Sequence, residues 1–133
     1  MKTLQILVLL AISLAAFSQA TAVQTKPVVP KYDKSAEAVF IGTVQGVRER
    51  QCPVSGGMGS HLVMRLNDGK VMEVHLSSTR FVRQYELAFH PGETLEITGV
   101  EVNFEGVQTI FARKIKRGAD EYLFRDNDGK PIW

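Results

Sequence analysis

The stretch from Gly59 to Leu76 constrains the fold most, because its strand register follows from its residues alone. Leu62, Met64 and Leu66 alternate with His61, Val63 and Arg65. Met72, Val74 and Leu76 alternate with Val71, Glu73 and His75. This is the period-two pattern of strands with one buried face. A three-residue loop, with a type I turn on Asn67-Asp68 and Gly69 in the left-handed region, pairs Leu66 with Lys70. Met64 then opposes Met72 and Leu62 opposes Val74. A two-residue loop would set Met64 against Glu73 and mix apolar with charged residues on each face. The register therefore predicts His61 beside His75 on the outer, solvent-facing side of the hairpin. Val63, Glu73, Arg65 and Val71 complete that face.

The chain has 133 residues, room for one domain and one core. Residues 1–22 read as a signal peptide: Met1-Lys2-Thr3 gives a positive start, Leu4 to Phe17 an apolar run, and Ala20 and Ala22 small cleavage-site residues. The run is shorter than the ~20 apolar residues a bilayer span needs. No cysteine stands at the cleavage region, so no lipid anchor is indicated. The expected location is the periplasm or the extracellular medium, with no membrane span in the mature chain. Without Lys2, fifteen Lys and Arg face fourteen Asp and Glu, too even a balance to draw nucleic acid by charge. The single Cys52 excludes an internal disulfide.

Residues 23–35 are proline-punctuated and polar and read as an extended leader. Residues 36–133 form the expected domain. Ala38 to Arg50 is a long β-type run whose Gly42 and Gly46 suggest a bend or bulge. Cys52 to Gly59 reads as a flexible loop. Ser77 to Thr79 can cap a helix carrying Phe81, Val82, Tyr85 and Phe89, stopped by His90-Pro91-Gly92. Two strands, Thr94 to Asn103 and Val107 to Lys116, precede a last hairpin from Tyr122 to Trp133 across Asp126-Asn127-Asp128-Gly129. Three strands, a helix and two strands make an all-β domain with small α content. Its element order is that of a five-stranded OB-fold Greek-key barrel with the helix between strands 3 and 4.

The chain resembles a group of small exported bacterial OB-fold proteins, some labelled magnetosome-associated. The resemblance runs from Val39 to Trp133. It rests on Gly42-Thr43-Val44, Gly59-Ser60-His61-Leu62, Val74-His75-Leu76, Pro91-Gly92-Glu93, Ile97-Thr98-Gly99, Ala112-Arg113-Lys114-Ile115 and Arg125-Asp126…Gly129…Pro131…Trp133. The group commonly has a Gly-Pro pair where this chain has Ser77-Ser78. The resemblance implies an OB-fold in an exported setting and no particular reaction.

No nucleophile motif, His-Glu-x-x-His or paired-carboxylate spacing marks an enzyme. Asp126 to Gly129 resembles the start of a calcium loop but lacks the distal glutamate. The function expected first is an exported binding or accessory module. It would use its outer face and the Cys52–Gly59 loop on a protein, glycan or small ligand of the cell envelope. One alternative is a zinc- or copper-binding envelope protein. Two cross-strand imidazoles can converge on one ion, with Glu73 on the same face and Met58 or Cys52 as sulfur donors. Ligating imidazoles must be neutral, so affinity would fall as pH drops through roughly 6.5. Against this stands an ordinary ion pair between Arg65 and Glu73. The other alternative, single-stranded nucleic acid on an OB face, meets a face without Phe, Tyr or Trp for stacking.

Overall fold

The computed structural model describes residues 18–22 and 28–133. Most of the expected signal peptide and part of the leader therefore lie outside the described residues. Six strands and one helix follow in order: β1 (Ala38–Cys52), β2 (Gly57–Leu66), β3 (Val71–Ser78), α1 (Thr79–Gln84), β4 (Thr94–Phe104), β5 (Val107–Arg117) and β6 (Asp120–Leu123).

The central hairpin takes the register that its alternation dictates. Met64 opposes Met72, Leu62 opposes Val74, His61 opposes His75, Val63 opposes Glu73 and Arg65 opposes Val71. Gly69 has φ 89° and the Leu66 N–H donates to the Lys70 carbonyl at 2.8 Å. Between Ser60 and His61 the register shifts. Such an irregularity adds local twist beside the two histidines.

β1 pairs with β4 over Ala38–Thr43 and with β2 over Gly42–Cys52. One bent strand thus serves both halves, with a register shift between Val44 and Gly46. Gly42 is the crossing point, where a β-carbon would lie 2.5 Å from the Arg65 carbonyl oxygen. Antiparallel pairing gives the order β3-β2-β1-β4-β5-β6. A short parallel match of Glu73, Val74 and His75 with Thr109, Ile110 and Phe111 joins β3 to β5 and makes the sheet a ring.

Inside lie Val44, Leu62, Met64, Met72, Val74, Leu95, Ile97, Ile110 and Ala112, all buried, with Phe40 half-buried against them. Full burial of each aliphatic side chain contributes about 1.5–3 kcal/mol.

Three expectations are corrected. The strand count is six rather than five, because residues 120–123, expected within or next to a separate hairpin, add to β5 at Lys114–Arg117. The turn that follows is present, with Arg125 bridged to Pro131. The helix is only Thr79–Gln84, capped by the Ser78 hydroxyl on the Phe81 N–H. Glu86, at φ 53°, lies beyond its end. Finally, Cys52–Gly59 is not a long loop: β1 and β2 continue as a hairpin to a four-residue turn at 53–56.

Candidate metal centre

Antiparallel pairing puts directly opposed residues on the same face of a sheet. In the β1–β2 hairpin, Arg48 opposes His61, Arg50 opposes Gly59, and Cys52 opposes Gly57. Cys52, Arg50 and His61 therefore share one face, and β3 brings His75 to the same place. The space between them is kept open by Gly59. A β-carbon there would lie 2.8 Å from Cys52 Cβ, 2.7 Å from Ser55 Oγ and 3.3 Å from His61 Cε1.

One ligand atom from each of Cys52, His61 and His75 lies within 4.8 Å of the others. The two imidazole rings stand edge to face with centroids 4.9 Å apart. All three residues are buried, both histidines completely. The expected solvent-facing pair is thus corrected: the rings are opposed as derived, but a second apolar layer covers them. Phe104 and Phe111 form that layer with Cys52, flanked by Tyr32, Val54 and Val102. Phe111 and Trp133 each stand 5.6 Å, ring to ring, from His75.

Burial governs the charge state. It pushes His75 down to about 3, with His61, Arg125 and Arg50 adding repulsion. It pushes His61 down to about 4, although the Glu73 carboxylate works the other way. Both rings are neutral in the folded protein above that range, the state a metal ligand needs. A neutral ring carries one N–H and one lone pair. His75 Nε2 shares a 3.0 Å hydrogen bond with the Ser55 hydroxyl. His75 Nδ1 and both nitrogens of His61 have no hydrogen-bond partner. A buried polar atom left so costs about 1–3 kcal/mol.

Glu73 Oε1 lies 3.6 Å from His61 Nδ1, too long for a hydrogen bond. That oxygen is held by Arg50, whose Nε and Nη2 donate at 3.1 and 3.0 Å. Arg50 Nη1 also donates to Glu105 at 2.9 Å. The expected Arg65–Glu73 pair is therefore corrected to Arg50–Glu73, and Arg65 is exposed. Glu73 stands behind His61, as carboxylates stand behind metal-bound histidines, rather than among the three clustered donors. Met58 is exposed and pairs with Gln51, on the opposite face of the β1–β2 hairpin from Cys52. Val63 is half-buried and Val71 exposed, so only the end of the face farthest from the Asn67–Gly69 turn is covered.

Sequence reading placed His61, His75 and Glu73 together and kept Cys52 as an optional sulfur donor. It missed Ser55, Gly59, Phe111, Trp133 and Arg125. A hairpin reading of β1 and β2 would have put Cys52 and His61 on one face. The cover from Phe111 and Trp133 depends on distant strands and had no local signal. Ser55 and Trp133 also line an open groove of about 790 Å³ along α1, with Arg80, Phe81 and Tyr85.

Fold and site together define a small ring-closed β protein with a buried Cys–His–His cluster. The chain belongs to the MamS/MamX magnetosome protein family, whose sequence pattern matches residues 37–122. The three clustered residues and Glu73 fall inside that stretch, whereas Arg125 and Trp133 fall outside it. No curated protein matches the chain in sequence.

Proposed function

We propose that this protein is a metal-binding accessory protein that holds one zinc or copper ion between Cys52, His61 and His75. The observation that carries the reading is the set of three unpartnered ring nitrogens beside a buried thiol. A satisfied core histidine pair would have hydrogen-bond partners for its ring nitrogens, whereas a metal ion would take the one lone pair that each neutral ring offers. Thiolate and imidazole donors suit zinc and copper and do not suit magnesium or calcium.

The barrel is read as an OB-fold. Support comes from the parallel β3–β5 match, the bent β1 shared by both halves, and α1 between β3 and β4. The protein acts by binding rather than catalysis, in an exported compartment, as the pattern of residues 1–22 suggests. Its partner is a protein, glycan or small ligand of the envelope. Nucleic acid is disfavoured by the near-even charge and by the cover over one end of the β2–β3 face. No helix among the described residues is long and apolar enough to cross a membrane.

The test is titration calorimetry with zinc and with copper(I) on the full chain, alongside Cys52→Ala, His61→Ala and His75→Ala. One ion per wild-type chain is expected, with affinity falling at least about 100-fold in each variant that remains folded by circular dichroism, as removal of one of three ligands would give. Equal heats in all four proteins would sink the proposal.

A further inference from the structure

A cationic side chain is buried beside the cluster with no carboxylate to balance it. Arg125 is 5% exposed. Its guanidinium carbon lies 5.1 Å from the ring centroid of Tyr32, 5.5 Å from Phe111 and 5.9 Å from Trp133. Phe111 and Trp133 are also the rings that flank His75, so one aromatic layer separates a full positive charge from a ligand imidazole. Nη1 donates to the Gly129 carbonyl at 2.8 Å, and Nε has no partner. Among the described residues no carboxylate is within salt-bridge reach of Arg125.

Arg48, opposite His61, is exposed to solvent, and Arg50, the half-buried cation beside the cluster, is paired. Glu73 is held by Arg50, and Glu105, which is exposed, takes another nitrogen of Arg50. Arg125 is therefore the uncompensated charge on the His75 side. Added positive charge on an ion held by His75 would meet the field of that guanidinium across the shared aromatic rings.

We infer that the Cys52–His61–His75 centre, taken as the metal site proposed above, selects monovalent copper over divalent zinc, and that the Arg125 charge sets the preference. The charge balance follows from the chemistry of binding. The Cys52 thiol releases its proton to solvent as the sulfur–metal bond forms. Copper(I) then replaces a proton with no change in charge. Zinc replaces the same proton and leaves one net positive charge in a poorly hydrated site facing a second. Like-charge repulsion across such a site is worth about a tenfold change in affinity. Ligand number points the same way. The cluster supplies three donors, whereas structural zinc almost always takes four, and Glu73 is already engaged by Arg50.

The experiment is a pair of chelator competition titrations on the full chain, one with zinc and one with copper(I) under anaerobic reducing conditions. Wild type is compared with Arg125→Met and Arg125→Lys. Arg125→Met should tighten zinc roughly tenfold and shift copper(I) less than about threefold, while Arg125→Lys, which keeps the charge, should keep the wild-type ratio. Should Arg125→Met fail to fold, Arg125→Gln removes the same charge while keeping a donor for the Gly129 carbonyl. Zinc should again tighten roughly tenfold, with copper(I) shifting less than about threefold. Equal shifts for both ions in these charge-changing variants would overturn the selectivity and leave the metal site standing. Failure of the wild type to bind either ion would overturn the metal site itself.

Discussion

His75 carries two consequences of burial at the scale of single residues. The first concerns metal affinity. Because its ring is held neutral down to about 3, and that of His61 to about 4, the supply of neutral imidazole does not fail at 6.5, the value expected of an exposed histidine. The second concerns stability. The unfolded chain takes protons on both rings near pH 6.5, while the folded chain does not take them until the pH is far lower. Between those limits the unfolded state binds more protons, so stability rises with pH there. It is fully present above about 6.5 and is lost as pH falls through 6 and 5. Urea denaturation of the metal-free protein at pH 7.5, 6.0 and 5.0 should show this decline, and it should be shallower in a His61→Gln, His75→Gln double variant. An unchanged slope in that variant would count against the histidines as the cause.

Among elements, the β2–β3 hairpin was the most legible part of the chain. Alternation and the Asn67-Asp68-Gly69 turn sufficed for its register, because both are local properties. The β1–β2 hairpin was less so. Pro53 and two consecutive glycines suggested an irregular loop, yet Cys52 and Gly57 already pair. What local sequence does not reveal is what covers a face. The outer side of β2 and β3 looked polar, and it is sealed at one end by Phe111 from β5 and Trp133 from the tail. Gly59 joins hairpin geometry to the site. Gly59→Ala should place a methyl group against Cys52 and Ser55, and overpacking of this kind costs about 1–3 kcal/mol. Thermal denaturation should show a lower melting temperature, and metal titration a weaker site. Wild-type values for both would mean that the 52–59 segment moves aside freely.

At the scale of the whole molecule, the ring is assembled from long antiparallel matches and tied at its start by a side-chain strap. Glu37 accepts two bonds from Arg113, each 2.8 Å, and one from the Tyr32 hydroxyl at 2.6 Å. The Arg113 guanidinium is the chief cause that holds the Glu37 carboxyl down at about 2. That strap anchors the segment before β1 to β5, so Tyr32 can lie over Gly129 and Arg125.

The β3–β5 match is different in kind. It has only three residue pairs, Glu73 with Thr109, Val74 with Ile110 and His75 with Phe111. Every other pairing within the ring is longer, so this seam is where the barrel should breathe first. His75 sits in the seam, and Cys52 and His61 lie outside it. An ion held by all three would tie β3 to β2 and β1 on one side of the seam, and so hold the β3 edge in place for its pairing with β5. Backbone amides in residues 73–75 and 109–111 that bond across the seam should then exchange with deuterium more slowly in the loaded protein, with little change in the β1–β4 ladder. A uniform slowing over the whole chain would place the first opening elsewhere. The rate at which the ion leaves would follow the same motion, so the seam would serve as the clock for release.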